Sequence, residues 1–369
     1  MRACRFLITA LMAGGFPAAA GDNPVTLARM KSPVKSDENI TLYTTAAWPS
    51  PAQPGSWEVE VHGVIFEKEN RTLLSNAIIS GMGIDPEELP DAARKLLRER
   101  MALFLADNER RKTLPIQAGS TIRTLPPSEP NGHFRETFTL SSTELQEAAG
   151  EGTIPLRALT PPGDGRTFTG SVCVIPDNSR PLVISDVDDT IKITAVNDKE
   201  EVKLNTFCRP FLPVDGMAAV YQRWASQSLA GFCYVTGSPW QLYEPLEAFR
   251  AAHIFPQGPW HMKYLRVADP ETIRTFLNSS TNYKLRAISP LLTRWPSRPV
   301  FLIGDSGEQD PEVYGSLARQ HPDRIAGIYI RKVTPGDRSA PRYLSAFSGI
   351  KDSIWHLFSE AAELPQTLP

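Results

Sequence analysis

Hydrophobic and polar positions alternate along most of the chain between residues 39 and 175. One side of a first strand pattern carries Trp57, Val59 and Val61, and the other side carries Glu58, Glu60 and His62. Residues 134–140 alternate in the same way, directly after an Asn-Gly turn signal. A period of two is typical of a strand with one buried face. The pattern predicts a mostly β, sandwich-like antiparallel domain over residues 39–175.

One stretch inside this region has a helical period. Ala93, Leu97, Met101 and Phe104 follow one another at steps of four, four and three. Such spacing places the four side chains on one face of a helix. We expect a short helix that lies across the sheet.

The pattern changes after Pro181. Continuous apolar runs then appear at residues 182–184, 232–235, 300–303 and 325–330. Runs without alternation are typical of strands buried on both faces of a parallel sheet. Helical segments separate the runs, so residues 182–369 are predicted to form an α/β domain with helices on both faces of the sheet. The polar residues 176–181 are the expected linker.

Three helix starts are predicted in this second region. Asp215 precedes the apolar positions 217, 220, 221 and 224, and it is placed to cap them as a helix. Ser238 to Gln241 has the spacing of a capping box with proline in the first turn. Asp310 with Pro311 gives a third start signal.

The first twenty residues have the layout of a secretory signal. Arg2 and Arg5 precede an apolar run, which is followed by small residues. A buried strand or helix is the alternative. The signal predicts export to the periplasm or the outside of the cell, with a flexible segment over residues 21–38. No other stretch reaches the length of a membrane-spanning helix, so a peripheral position on a membrane is the closest expected membrane contact.

Composition adds two exclusions. The formal net charge of -2 gives no basic excess for nucleic acid, so no nucleic-acid partner is expected. Removal of the signal would leave Cys173, Cys208 and Cys233, which allow at most one disulfide and have no zinc-ligand spacing.

Polar and acidic residues follow the apolar runs at the expected strand ends. The candidate site residues are Asp186, Asp188, Thr190, Thr236, Gly237, Lys284, Asp305 and Asp310. Because ligands bind beyond the carboxyl ends of parallel strands, these side chains are expected to converge. A calcium-like loop or a helix cap is the alternative for the first acidic run, but no glutamate follows at the EF-hand spacing.

These residue types suit phosphoryl transfer. Asp186 would attack a phosphomonoester and form an acyl-phosphate, which water then hydrolyses. Asp188 would protonate the leaving oxygen and later deprotonate the water. Mg²⁺ would be held by Asp186 and Asp305 as side-chain ligands, with Asp188 completing the predicted metal set. The remaining residues, Thr190, Thr236, Gly237 and Lys284, would hold the phosphoryl group, with Asp310 in a supporting role.

In this order the residues resemble the four motifs of the haloacid dehalogenase (HAD) superfamily. More narrowly, residues 184–192, 234–243 and 304–312 look like the phosphatidate phosphatase family named for an actin-patch protein of yeast. That resemblance implies a HAD-like Rossmannoid domain, Mg²⁺ as cofactor, and hydrolysis of phosphatidate to diacylglycerol and phosphate. Residues 107–111 and 131–134 resemble the β-rich region of bacterial members. The pair Thr236-Gly237 departs from the serine and following asparagine or serine that the family pattern leads us to expect.

The short intervals between the motifs leave no room for a large lid, so the site is expected to be open. The segment after the first motif then becomes a candidate flap that meets anionic lipid. Its basic and apolar residues are Lys192, Lys199, Lys203, Phe207, Arg209, Phe211 and Leu212. An ordinary solvated hairpin is the alternative.

Two other functions remain open at this stage. The first is a HAD phosphatase that acts on a different phosphomonoester, such as a sugar phosphate or a phosphoprotein. The second is a secreted binding protein with a vestigial active site. A dehalogenase is disfavoured, because Asp188 supplies an acid that carbon-halogen chemistry does not need.

Overall fold

The computed structural model describes residues 32–69, 71–265 and 281–369. The predicted signal and most of the predicted flexible segment lie outside these residues. In the described part of that segment, Val34 is buried in the core and Glu38 forms an ion pair with Lys112. The other five residues of 32–38 are exposed, and the flexibility of the segment stays a prediction. Among the described residues, no helix has the length and apolar character needed to cross a bilayer.

The first region is a nine-stranded sheet. Its strands are β1 (Glu38–Leu42), β2 (Thr45–Pro49), β3 (Ser56–Glu67), β4 (Asp107–Asn108), β5 (Pro115–Ala118), β6 (Thr121–Thr124), β7 (His133–Ser141), β8 (Thr153–Ala158) and β9 (Phe168–Val174). The order is β1-β3-β2-β9-β8-β5-β6, with β4 and β7 also paired to β3. Every pairing is antiparallel except β2 with β9. One apolar cluster joins residues from β1, β3, β5 and β8, so this single sheet curls around its core.

Three helices accompany this sheet, which together with it we call the β-rich region. They are α1 (Thr72–Gly81), α2 (Asp91–Phe104) and α3 (Ser142–Ala148), with a 3₁₀ turn at Pro86–Glu88. Helix α3 begins with a capping box in which Ser141 and Glu144 bond each other's backbone N–H.

The second region, which we call the α/β region, contains a six-stranded sheet. Its strands are β10 (Leu182–Ser185), β11 (Gly231–Pro239), β12 (Trp260–Lys263), β13 (Val300–Asp305), β14 (Ile325–Arg331) and β15 (Trp355–Phe358). The order is β12-β11-β10-β13-β14-β15, and all pairings are parallel. The four apolar runs thus form parallel strands, as predicted.

Helices cover both faces of this sheet. They are α4 (Lys199–Lys203), a π-helical turn (Leu204–Cys208), α5 (Met217–Gln227), a 3₁₀ turn (Trp240–Leu242), α6 (Tyr243–Ala252), α7 (Thr281–Arg294), α8 (Asp310–Gln320), α9 (Pro341–Ala346) and a 3₁₀ turn (Ala361–Glu363). Val183 packs with α5 and α6 in one core cluster, whereas its neighbours Leu182 and Ile184 pack with α7 and α8 in another. Because successive residues of a strand point to opposite faces, the two clusters lie on opposite sides of the sheet. The α/β class is confirmed.

One of the three predicted helix starts is wrong, and a second helix begins as predicted, with its predicted face buried, but with a different cap. Helix α5 follows Gly216 in a left-handed conformation, and no side chain caps it, so Asp215 is not its cap. Ser238 lies inside β11, and α6 begins only at Tyr243 after the 3₁₀ turn. The Ser238 hydroxyl bonds Asp188 instead of a helix N–H group. Helix α8 does begin at Asp310, with proline in its first turn.

Helix α2 exists as predicted, but it does not lie across the β-rich sheet. Leu97, Met101 and Phe104 belong to the core cluster of the α/β region. The Phe104 ring lies 5.4 Å from the ring of Phe207 in the π-helical turn. A helical period identifies the buried face of a helix but not the surface that covers it.

Strand β3 is buried on both faces, whereas its alternation predicted one exposed face. Glu60 is 3% exposed and bonds Arg294 of α7 at 3.0 Å and Arg135 of β7 at 3.1 Å. His62 is fully buried, and its ring lies 4.6 Å from the ring of Trp240. The polar side of the strand is thus the side on which the two regions meet.

The three cysteines in the described residues are buried and free. Burial raises the pKa of the Cys208 thiol and brings that of Cys233 to about 12. Cys173, Cys208 and Cys233 are therefore protonated thiols at neutral pH, with no disulfide among them.

The ion pair between Glu60 and Arg294 gives a prediction about stability. Glu60→Ala should lower the free energy of unfolding by about 2 kcal/mol, because it leaves the half-buried Arg294 guanidinium without its carboxylate partner. Glu58→Ala, on the same strand, should lower it by less than about 1 kcal/mol, since the Glu58 carboxylate accepts a hydrogen bond from the neutral Ser50 hydroxyl and forms no ion pair among the described residues. Urea denaturation of both variants measures the difference. Equal losses would mean that the contact between the regions does not depend on this pair.

Candidate active site

The predicted site residues meet at one edge of the parallel sheet. Asp186 directly follows β10, Thr236 lies near the end of the neighbouring strand β11, and Asp305 ends β13 on the other side. Lys284 projects from the first turn of α7, and Asp310 begins α8. The site therefore lies beyond the carboxyl ends of three adjacent strands, where α/β sheets bind ligands.

Asp186 is fully buried at the centre of this edge. Its Oδ1 lies 2.8 Å from the Lys284 ammonium, and its Oδ2 accepts a hydrogen bond of 3.1 Å from the Thr190 hydroxyl. Its backbone N–H donates to the carbonyl of Ile303 in β13, which fixes the start of the loop. The carboxylate thus sits in a defined position.

Lys284 is the centre of an acidic cluster. Its ammonium contacts Asp186, Glu308 at 2.9 Å, and Asp310. Burial raises the pKa of Asp186 and of Asp305 well above the usual range, the neighbouring carboxylates raise both further, and Lys284 only partly opposes this. One ammonium therefore contacts three acidic groups, and a fourth acid, Asp305, is buried in the same space.

Asp188 has a separate set of partners. Its Oδ1 contacts the Lys192 ammonium at 2.9 Å and the Thr194 hydroxyl at 2.8 Å. Its Oδ2 accepts hydrogen bonds from Thr236 at 2.8 Å and from Ser238 at 2.9 Å. Burial favours the neutral form, but Lys192 and the hydroxyl donors outweigh it and hold the pKa of Asp188 below its usual range.

Asp189 shapes the loop that carries these partners. It adopts a positive φ of 53°, and its carboxylate accepts the backbone N–H groups of Thr194, Ala195 and Val196 at 2.8, 2.9 and 2.6 Å. Its own carbonyl accepts a hydrogen bond from Arg331. Asp189 therefore curls the chain back so that Thr194 reaches Asp188.

The loop from Asp305 to Asp310 is fixed from two directions. Asp305 Oδ1 accepts the N–H groups of Gly307 at 2.5 Å and Glu308 at 3.2 Å. On the other side, Arg342 of α9 donates to the carbonyls of Ser306 and Glu308, and its guanidinium also bonds Glu312. An arginine outside the loop thus holds its backbone at two points.

The carboxylates suit a divalent cation. Asp186, Glu308 and Asp310 each offer an oxygen within 4.8 Å of the others, but the Lys284 ammonium already contacts all three. Asp305 Oδ2, in contrast, is fully buried and accepts no hydrogen bond from any residue that the structure describes. Oxygen donors with excess negative charge are what Mg²⁺ prefers. Asp186 Oδ1 likewise accepts no hydrogen bond within the described part of the chain, although the Lys284 ammonium lies 2.8 Å away. Asp186 with Asp305 therefore fits a cation better than Asp188 does, because both oxygens of Asp188 accept hydrogen bonds.

The structure changes the expected partners of two phosphate-binding candidates. The Thr236 hydroxyl donates to Asp188 and accepts from the Ser238 N–H, so its proton is directed at a carboxylate. Gly237 lies between Lys263 and Glu308, since a Cβ atom there would come 3.5 Å from the lysine ammonium and 3.8 Å from the Glu308 carboxylate. Lys284 contacts Asp186 directly, so a phosphoryl group bound at the Asp186 carboxylate would also lie beside the Lys284 ammonium.

Sequence reasoning missed four residues of the site. They are Lys192, Thr194, Ser238 and Glu308. A hydroxyl residue two positions after Thr236 on the same strand was a usable signal, because alternate residues of a strand share a face. Thr194 carried none, because it reaches Asp188 only through the loop around Asp189.

The predicted basic flap is not present in that form. Lys192 is 2% exposed and bonds Asp188, and Phe207 is fully buried. Lys203 and Arg209 form ion pairs with neighbouring glutamates. Much of the segment is packed into the site, whereas Lys199 and the apolar residues Ile193 and Leu212 are exposed, the last two at 42% and 56%.

Arg342 gives a prediction about the loop. Arg342→Ala should free the Ser306 and Glu308 carbonyls, and amide hydrogen exchange should then speed up at residues 305–310 by about tenfold or more. Arg338→Ala is the matched control, since Arg338 stacks on Trp355 and bonds Asp352, away from the loop. Unchanged exchange at residues 305–310 in Arg342→Ala would show that the loop is held without this arginine.

Residues 181–332 match the family model described as "Phosphatidate phosphatase APP1, catalytic domain". "Phosphatidate phosphatase APP1" of Saccharomyces cerevisiae is 36% identical over 152 residues, which cover 40% of this chain and 25% of the yeast protein. "Uncharacterized protein C29B5.04c" of Schizosaccharomyces pombe is 28% identical over 190 residues, or 51% of this chain and 29% of that protein.

The chain thus spans between a quarter and a third of the length of these curated relatives. The matched segment contains every predicted site residue, from Asp186 to Asp310, but not Arg342 or the β-rich region. The likeness supports a phosphatase catalytic domain in residues 181–332.

Proposed function

We propose that this protein is a HAD-type phosphatase that hydrolyses phosphatidate to diacylglycerol and phosphate through a phosphorylated Asp186. The observation that carries the proposal is the position of Asp186. It is buried at the end of the central strand, it contacts Lys284, and a second carboxylate with its own partners follows two residues later. Two carboxylates in such different surroundings can take different roles in one reaction.

In the first step, an oxygen of Asp186 attacks phosphorus and the bond to the ester oxygen breaks. The electron pair of that bond goes to the leaving oxygen, which takes a proton from Asp188. Lys284 places positive charge beside the phosphoryl oxygens while their negative charge spreads in the transition state.

In the second step, water attacks the phosphorus of the acyl-phosphate. Asp188 accepts the proton of that water, and the bond between phosphorus and Asp186 breaks, which releases phosphate and restores the carboxylate. Thr190 bonds Asp186 Oδ2, and it therefore orients the carboxylate for the attack in the first step.

Mg²⁺ held by Asp186 and Asp305 would supply the charge that lets an anionic carboxylate approach an anionic phosphate. The buried Oδ2 of Asp305, which has no hydrogen-bond donor within the described ranges, supports this assignment.

The protonation of Asp188 depends on the bound phosphate. Lys192 favours the ionised carboxylate before substrate binds. A phosphoryl group brings negative charge toward Asp188, and a nearby like charge raises a carboxyl pKa. The same residue is then able to hold a proton in the first step and to accept one in the second.

Phosphatidate as the substrate is supported by the likeness of residues 181–332 to a phosphatidate phosphatase catalytic domain. A sugar phosphate or a phosphoprotein would use the same reaction. A binding protein with a vestigial site is less well supported, because Asp186, Asp188, Lys284 and Asp305 are all present and in contact with suitable partners.

Asp186→Asn should abolish phosphate release from phosphatidate micelles, since an amide oxygen is a poor nucleophile. The rate should fall by at least about a thousandfold. Asp215→Asn, at an exposed acid, is the control and should keep the wild-type rate. EDTA should stop the wild-type reaction, and added Mg²⁺ should restore it.

Two results would contradict parts of this proposal. Activity that survives both Asp186→Asn and EDTA would remove the mechanism. Turnover of soluble phosphomonoesters without turnover of phosphatidate would keep the mechanism and remove the lipid substrate.

Ser238→Ala tests the role of Asp188. The change removes one of four donors from this carboxylate, and we expect kcat to fall about tenfold with little change in KM. Ser226→Ala, at an exposed serine outside the site, should leave kcat unchanged. A Ser238→Ala enzyme with the wild-type kcat would show that the donor is not needed in the reaction.

A further inference from the structure

Arg100 of helix α2 is a buried arginine in an unusual setting. It is 5% exposed, and no carboxylate of the described residues forms an ion pair with it. One guanidinium nitrogen donates to the carbonyls of Thr206 at 2.5 Å and Asn205 at 3.4 Å. Burial lowers the pKa of Arg100 to about 10, so the side chain stays charged at neutral pH. Burying a charge without a counter-charge costs free energy, so an apolar side chain would stabilise the fold more at this position.

A chain of contacts leads from Arg100 to the acidic residue of the proposed mechanism. The guanidinium lies 3.9 Å from the ring centre of Phe211. The Lys192 ammonium lies 4.8 Å from the same ring centre. Lys192 then contacts Asp188 at 2.9 Å. All three links are within the range of cation–π contacts or ion pairs.

The position of the Phe211 ring matters because this ring is one of the groups that hold the Lys192 ammonium in place. A lysine ammonium sits on a flexible four-carbon stem, so its position depends on the groups around it. Around Lys192 these groups are Asp188, Thr194 and the Phe211 ring. Arg100 fixes the ring by stacking on it, and it fixes the preceding turn through the Thr206 and Asn205 carbonyls.

We propose that Arg100 is a positioning residue of the catalytic centre, which holds Phe211 and through it the Lys192 and Asp188 pair. The inference rests on the proposed function for the role of Asp188. It also assigns a task to the β-rich region, because α2 belongs to that region and lies outside residues 181–332, which match the catalytic-domain model.

The main test compares Arg100→Met with Arg98→Met in the full chain. Methionine keeps much of the volume of Arg100 and removes its charge and donors. We expect kcat on phosphatidate to fall about tenfold in Arg100→Met with KM within about twofold of wild type. Arg98 is exposed on the same helix, so Arg98→Met should keep the wild-type kcat. Arg100→Lys keeps a cation and donors, and kcat should return to within about threefold of wild type.

The leaving group gives a readout that a purely structural role would not change. An alkoxide leaving group needs the proton from Asp188, whereas the p-nitrophenolate of p-nitrophenyl phosphate leaves without it. Arg100→Met should therefore slow a soluble short-chain phosphatidate about tenfold and p-nitrophenyl phosphate less than about twofold. Equal slowing of both substrates would mean that Arg100 supports the fold only.

A double variant tests whether Arg100 acts through Phe211. If it does, the kcat of the double variant Arg100→Met with Phe211→Leu should be no lower than the kcat of the less active single variant. Independent effects would multiply. Multiplied losses, or an Arg100→Met enzyme with wild-type kcat, would overturn the proposal.

A crystal structure of Arg100→Met separates this inference from the proposed function, because it does not depend on activity. We expect the Phe211 ring to shift and the contact between Lys192 and Asp188 to lengthen beyond ion-pair distance. An unchanged ring and ion pair would overturn the inference even if the enzyme hydrolyses phosphatidate. If the Phe211 ring shifts in Arg100→Met but the wild-type protein has no phosphatase activity, the positioning role is kept and the proposed function is removed.

Discussion

The contact between the Lys284 ammonium and the buried Asp186 carboxylate is the interaction on which the site depends. Asp186 can be buried at a strand end because a cation lies 2.8 Å away and Thr190 satisfies its other oxygen. Lys284 is shared with Glu308 and Asp310, however, so one positive charge serves several acids. The remaining negative charge, together with an Asp305 Oδ2 that accepts no hydrogen bond from the described residues, supports the proposal that the site holds a further cation.

The two aspartates of the first loop, Asp186 and Asp188, are close in sequence, but their pKa values are shifted in opposite directions. Without a metal ion, burial among acids favours the neutral form of Asp186, and Lys192 favours the ionised form of Asp188. The proposed reaction needs the opposite order, with an ionised nucleophile and a protonated acid. A cation at Asp186 and a phosphoryl group near Asp188 would move both pKa values in the required direction. Under the proposed mechanism, Asp186 would become ionised only when the metal binds, and Asp188 would become protonated only when the substrate binds.

The sequence predicted those parts of the protein in which a local pattern determines the structure. Continuous apolar runs identified the parallel strands, and polar residues directly after them identified Asp186, Thr236 and Asp305. The local pattern gave a wrong prediction where the same residue type can serve either a local or a long-range contact. Ser238 has the spacing of a helix cap, but its hydroxyl bonds Asp188 across the site. Lys192 resembled a solvated flap residue, since its partner Asp188 becomes visible only when the loop around Asp189 is folded.

The partner of helix α2 could not be predicted for a related reason. Its apolar period fits any apolar surface, and the nearest one in sequence is the β-rich sheet. The structure places it instead against the π-helical turn and Phe211, where Arg100 finds carbonyl acceptors and an aromatic ring. A helix that only closed the α/β core would need no buried guanidinium at that point. The charge lies beside the segment that carries the Lys192 contact to Asp188, and under the proposed positioning role this is how the β-rich region acts on the site.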